Sequence, residues 1–212
     1  MTHNSPHQID TLNLRPATPA DVPQILAFIR DLAAYEREPD AVYATETDLL
    51  RDGFTEPRRF HCLMAEYDGA PAGFALYFYN YSTWRGHAGI YLEDLYVGPE
   101  HRGKGIGKAL LTRVAAIAVS EGCPRFEWSV LDWNTPSIDF YHQLGAVMKS
   151  EWKGMQVSGD ALVALAALSK EPWSEPKRWG RRSPGLDAEE LTHGSVGGLR
   201  PRLVTQLPSG RL

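Results

Sequence analysis

The period of apolar and polar positions changes along this chain, and each change marks an element. Residues 12–15 alternate as a short strand. From Thr18 the period lengthens: Val22, Ile25, Ile29 and Leu32 fall on one face at helical spacing. Thr18 is placed as N-cap, Pro19 as first helical residue and Asp21 three residues after the cap, a strong helix start. This helix is expected to end near 35–38, before Pro39, and a second to span 46–51 and stop at Gly53. Residues 60–67, 72–81 and 88–97 then read as strands, the first two joined by an Asp68-Gly69 hairpin turn. Ile106, Leu110, Val114 and Ile117 predict a helix over 106–119. A strand at 125–131, a helix at 135–144 ending at Gly145, and a last strand or pair of strands within 154–167 complete the order β-α-α-β-β-β-α-β-α-β. Such an order makes a mixed α/β (α+β) fold.

The pattern breaks from about Lys170, where residues become polar and are interrupted by Pro and Gly. This tail, 170–212, is expected to be largely disordered, as is the flexible stretch 1–10, leaving 11–169 as one domain. Only 187–191 reads as helical there. Trp173, Trp179, Arg178, Arg181 and Arg182 could touch an acidic surface, although a solvated tail is the plainer reading. The tail holds 8 Lys/Arg against 5 Asp/Glu; the rest of the chain holds 14 against 21, inside a total of −4. An acidic domain argues against nucleic acid as partner and is compatible with a cationic substrate. Hydrophobic content of 43% with 23% charged residues is ordinary for a soluble protein. No apolar run approaches the ~20 residues of a membrane span, and residues 1–7 carry no secretory pattern. Cys62 and Cys123 are too few for a disulfide framework or zinc site and read as packing residues, so a reduced cytoplasm is expected. His61, His87, His101 and His142 show no ligand spacing, and no metal is expected.

The richest segment is Tyr91-Leu-Glu-Asp-Leu-Tyr-Val97, a Gly98-Pro99 break, and the basic loop Arg102-Gly-Lys-Gly-Ile-Gly107 opening into a helix. Gly103, Gly105 and Gly107 let a backbone turn tightly and approach a ligand. A helix N-terminus favours an anion, and Arg102, Lys104 and Lys108 add charge for a diphosphate. The loop lacks a P-loop's Gly-Lys-Ser/Thr ending, and its glycines are too close for a dinucleotide fingerprint. Its spacing, Arg102-x-x-Gly105-x-Gly107, resembles the Arg/Gln-x-x-Gly-x-Gly/Ala signature of the GCN5-related N-acetyltransferases (GNAT). Over roughly 12–168 the chain resembles the diamine (spermidine/spermine) and thialysine acetyltransferases, through Leu14-Arg-Pro-Ala-Thr18, Leu32-Ala-Ala-Tyr-Glu36, Asp52-Gly-Phe54, Phe60-His-Cys-Leu63, Tyr91-Leu-Glu-Asp94, Val130-Leu-Asp-Trp-Asn134 and Phe140-Tyr141. Tyr81-Ser-Thr-Trp-Arg-Gly86 and the Val130 run lean to the thialysine branch, Pro136-Ser137 to the diamine branch.

The resemblance implies a GNAT fold: a mixed, mostly antiparallel sheet of six to seven strands with about four helices. It also implies acetyl-CoA as co-substrate and a homodimer. Leu95, Tyr96 and Val97 would offer backbone groups to the pantetheine arm where the fourth strand splays from the fifth. Gly103, Lys104, Gly105, Ile106, Gly107 and Lys108 would cradle the pyrophosphate, with Arg102 beside them, and Asn134, Pro136 and Ser137 would line the cofactor's other side. Tyr35, Glu36, Glu93 and Asp94 would hold the amine, and Tyr141 would sit beside the thioester sulfur.

Acyl transfer to an amine explains why such residues are needed. An alkyl amine has a pKa near ~10.4, so only about one in a thousand is neutral at pH 7. A carboxylate must bind the ammonium and relay its proton, directly or through water; Glu93 is placed for this. The oxyanion needs a backbone donor, expected near Tyr96 or Val97. The leaving thiolate needs an acid, and Tyr141, two helical turns after Asn134, fits. A strand-end carboxylate and a half-buried core tyrosine are the plainer readings of these two. Glu36, with Glu38 and Asp40, could edge an acidic channel or be a solvated helix end, since Arg37 lies between the acids. The aromatics over 77–84 read as core and dimer interface. Two other functions stay open: a protein or peptide acetyltransferase, and a non-catalytic acyl-CoA sensor.

Overall fold

The computed structural model describes residues 11–169; the residues expected to form the flexible start and the polar tail lie outside them. Five strands form one sheet in the order β1-β2-β3-β4-β5: β1 (Leu12–Pro16), β2 (His61–Tyr67), β3 (Ala70–Ser82), β4 (His87–Val97) and β5 (Phe126–Trp128). The first four pair antiparallel and β5 joins β4 in parallel. α1 (Val22–Tyr35) and α2 (Glu46–Phe54) run between β1 and β2, α3 (Ile106–Ser120) between β4 and β5, and α4 (Thr135–Gln143) follows β5. This is the expected mixed α/β GNAT architecture. The described chain divides at Met148, and a second unit, from Lys149, contains α5 (Gly159–Ala166). No described helix is long and apolar enough to cross a membrane.

Each face of the sheet carries its own apolar layer. Leu63, Tyr77, Ile90 and Leu92 pack with Ile106, Leu110 and Val114 of α3. Met64, Phe74, Leu76 and Tyr96 pack with Ile25 and Phe28 of α1 and Leu49 of α2. The helical periodicity of α1 and α3 therefore buries one stripe of each helix on an opposite side of the sheet. Thr18 and Asp21 form the expected capping box, but Pro19–Asp21 is a 3-10 turn and α1 begins at Val22. Asp21 also takes Arg15 at 2.7 Å, tying β1 to the helix start, and this partner holds its carboxyl well below the usual carboxylate range.

Three expectations are corrected. Gly53 does not stop α2, which runs on to Phe54; a Cβ there would collide with the Phe60 ring, so the glycine serves a close approach. The strand expected at 125–131 shortens to Phe126–Trp128 because the chain leaves β4 at that point. The strands expected within 154–167 are instead the helix α5, so the described residues hold five strands rather than six or seven. Ala and Leu, the best helix formers, fill 161–166 apart from Val163, with Ser158 at the N-cap and Asp160 in the first turn.

Candidate active site

The site begins with an irregularity in β4. Leu76 of β3 faces Asp94 while its neighbour Tyr77 faces Leu92, so Glu93 is an extra residue, a β-bulge. The bulge reverses the alternation: Ile90 and Leu92 point to the α3 layer before it, Leu95 and Val97 after it. Pairing between β4 and β5 stops at the same place, at Leu92–Trp128. The strands part, leaving a wedge in which the later β4 backbone has no β5 partner. A cavity of about 490 Å³ occupies it.

Twelve of the residues singled out in the sequence line this cavity: Tyr35, Glu36, Glu93, Leu95, Tyr96, Val97, Arg102, Gly103, Asn134, Pro136, Ser137 and Tyr141. Asp94, Lys104, Gly105, Ile106, Gly107 and Lys108 do not. At the loop end, Gly103 (φ 77°) and Gly105 (φ 79°) adopt left-handed conformations that favour glycine. Gly105 is the N-cap of α3, whose first N–H groups have no intrahelical acceptor. A Cβ on either glycine would meet open space, so the turn, rather than crowding, requires them. Arg102 Nε donates to the Val97 carbonyl (3.1 Å), and its guanidinium lies 5.2 Å from the centroid of the Tyr35 ring. Lys104 turns outward, 4.2 Å from the Tyr67 ring centroid, and Ile106 is a core residue. A cradle of backbone N–H groups with a flanking guanidinium suits a diphosphate; the unpaired β4 edge suits an amide-bearing arm.

The other charged residues of the cavity, Glu36 and Glu93, are acidic. Glu36 caps the C-terminus of α1, and burial raises its pKa. Asp94 faces the α1 layer beside Leu76. Burial, with Glu93 and Glu36 nearby, pushes its carboxyl up to about 7. Tyr141, on α4, is half-buried with its ring 5.0 Å from Trp128. Burial, Glu36 and Tyr35 raise its pKa, so its hydroxyl remains a proton donor at neutral pH. Asn134 ties Tyr35 to α4. It is a buried polar residue, accepts from Tyr35 Oη at 3.1 Å, and caps α4 through the Ser137 N–H. The seven-residue spacing to Tyr141 thus brings both side chains to one cavity.

Sequence reasoning gave no role to Leu32, Leu92, Trp128, Ser129, Val130, Leu131 or Phe140, which also line the wedge. The signal for 128–131 was the parallel pairing itself: whatever follows β5 must face the part of β4 it has left. Cys62 and Cys123 are buried and free, as expected of packing residues. Among the described residues no group of three or more His, Cys, Asp or Glu could hold a metal ion.

Residues 25–146 match the sequence profile of the acetyltransferase (GNAT) family. The thialysine N-epsilon-acetyltransferase of Sus scrofa is 43% identical over 164 residues, covering 72% of this chain and 96% of that protein. The human spermidine/spermine N(1)-acetyltransferase-like protein 1 is 39% identical over 153 residues, covering 69% of this chain and 22% of its own length. Among solved structures, an integron cassette protein from the mobile metagenome of V. cholerae superposes with a TM-score of 0.63 at 26% identity, covering 74% of this chain and 98% of that one.

Proposed function

The chain belongs to the acetyltransferase (GNAT) family and is an N-acetyltransferase, and from that premise we propose that it transfers acetyl from acetyl-CoA to a primary amine of a small cationic substrate, a diamine or polyamine or a thialysine-like amino acid, within a ternary complex. The observation that carries this reading is the gathering of both signs of charge and a tyrosine hydroxyl in the β4–β5 wedge. Arg102 and Gly103 bring a cation and a turn of backbone to the cavity, Glu36 and Glu93 bring carboxylates, and Tyr141 lines the same cavity. An anionic cofactor and a cationic acceptor thereby each meet a complementary charge in one cavity.

Each residue has a part. Gly103, Gly105 and the first turn of α3, with Arg102, bind the diphosphate; Leu95 to Val97 offer backbone groups to the arm; Asn134, Pro136 and Ser137 close its other side. Glu36 and Tyr35 receive the amine, with Asp94 adding charge from behind the bulge, and Glu93 takes its proton, directly or through water. The amine nitrogen then attacks the thioester carbonyl, a C–N bond forms, the C–S bond breaks, and Tyr141 gives the thiolate its proton. The same reading takes the protein to be a homodimer, as the family resemblance implies, in the reduced cytoplasm that two unpaired thiols suit.

Thiol release from acetyl-CoA, measured against putrescine, spermidine, spermine, thialysine, lysine and a lysine-containing peptide, tests this. A clear preference for one small amine is expected; a preference for the peptide would replace the reading with a protein acetyltransferase. Tyr141→Phe is expected to lower kcat by about 10²- to 10⁴-fold with acetyl-CoA still bound. Unchanged turnover would remove Tyr141 from the mechanism.

A further inference from the structure

α1 ends in a Schellman turn. The Arg37 N–H donates to the Ala34 carbonyl (3.2 Å) and the Glu38 N–H to the Ala33 carbonyl (2.9 Å), with Arg37 itself left-handed at φ 68°. Glycine is the usual occupant of that position, because a Cβ there is conformationally unfavourable. Helix termination therefore does not account for an arginine. Its guanidinium lies 4.3 Å from the centroid of the Trp133 ring, and that ring is 6.0 Å from Tyr35, a cavity residue. The side chain is thus held on Trp133 beside two cavity residues, Tyr35 and Glu36, while Arg37 and Trp133 themselves stand outside the cavity lining. Glu36 and Glu38 flank it in sequence, yet Arg37 makes no ion pair with any carboxylate among the described residues.

A cation fixed beside an acidic cavity repels an acceptor that carries only amines. It attracts one that also carries a carboxylate, which a guanidinium can grip with two parallel hydrogen bonds. We propose that the acceptor is an amino acid with a free α-carboxylate, and that Arg37, held on Trp133, binds that carboxylate while the side-chain amine reaches Glu93 and Tyr141. Arg37 is then a specificity-determining residue, selecting amino acids against diamines of the same length. The inference rests on the reading of this wedge as an amine acetyltransferase site.

Matched acceptors test it: thialysine against bis(aminoethyl) sulfide, and lysine against cadaverine, each pair differing by the carboxylate. The wild-type protein is expected to favour the amino acid by about tenfold or more in kcat/KM. Arg37→Gly suits the turn, so the fold is kept, as circular dichroism and thermal melting will check. It is expected to lose most of the preference through a higher KM for the amino acid and a lower KM for the diamine, with the KM for acetyl-CoA unmoved. Arg37→Lys, keeping charge without the planar fork, should lie between the two. No discrimination by the wild type, equal losses on both acceptors, or a higher KM for acetyl-CoA in Arg37→Gly would overturn the role of Arg37 while leaving acetyl transfer in place. Absence of turnover with every amine would overturn the acetyltransferase reading of the wedge, and this inference with it.

Discussion

Glu93 and Asp94 are adjacent acids with different surroundings. The bulge sends Glu93 into the cavity and Asp94 toward the α1 layer, where burial pushes its carboxyl up to about 7. A carboxyl ordinarily titrates near ~3.9, so folding favours the protonated form. The resulting penalty is absent below about pH 4, grows as the pH rises through the unfolded value, and levels off above about 7. Asp94→Asn abolishes it. Urea melts should show the variant gaining on the wild type between those limits, reaching about 2 kcal/mol at pH 8, a figure reduced because the side chain keeps some solvent contact. On the proposed reading the same group adds charge behind the carboxylates that receive the cationic amine. In the free enzyme, kcat/KM for the acceptor should show an inflection near pH 7 that Asp94→Asn removes. A variant with the wild-type inflection and no gain in stability would return Asp94 to an ordinary surface acid.

At the scale of elements, β3 supports the cofactor's wall through Gly73. This residue pairs with Val97, and a Cβ on it would collide with the Tyr96 carbonyl oxygen and approach the Val97 Cα to 3.2 Å. Gly73→Ala must displace β4 where its backbone lines the cavity. It is expected to lower stability by about 1–3 kcal/mol and raise the KM for acetyl-CoA about tenfold, since small misplacements near reacting groups are amplified. Wild-type values of both would show that β4 yields without consequence. The elements were legible where periodicity was strong: the β2–β3 hairpin, β4 and α3 fall within two residues of expectation. Twelve of the eighteen candidate site residues come together at one cavity, and it was the family resemblance that singled them out; of the loop over 102–108 only Arg102 and Gly103 line it. The bulge was not, since Glu93-Asp94 reads as part of an unbroken strand and only the pairing with β3 reveals the extra residue. Nor does a count of basic residues say which cations face a ligand: Arg102 lines the cavity, while Lys104 turns to the aromatic face of Tyr67. An apolar run at 154–167 fits strand or helix equally by pattern, and its Ala and Leu content decided for α5.

For the whole molecule, residues 1–169 carry 14 Lys/Arg against 21 Asp/Glu, and Glu36 and Glu93 line the wedge. A field of that sign raises the encounter rate of a cation and is screened beyond about 10 Å at 0.1 M salt. Steering acts before binding, so it belongs in kcat/KM for the acceptor and not in kcat. Raising sodium chloride from about 20 mM to about 300 mM should therefore lower that kcat/KM several-fold while kcat at saturating acceptor stays level. Acetyl-CoA meets the opposite balance: a net negative domain outside and a cationic loop at the point of contact. The two effects oppose each other, and its KM should move less with salt than the acceptor's does. A salt-independent acceptor kcat/KM would mean that the carboxylates act only at contact, holding an amine that arrives by unassisted diffusion.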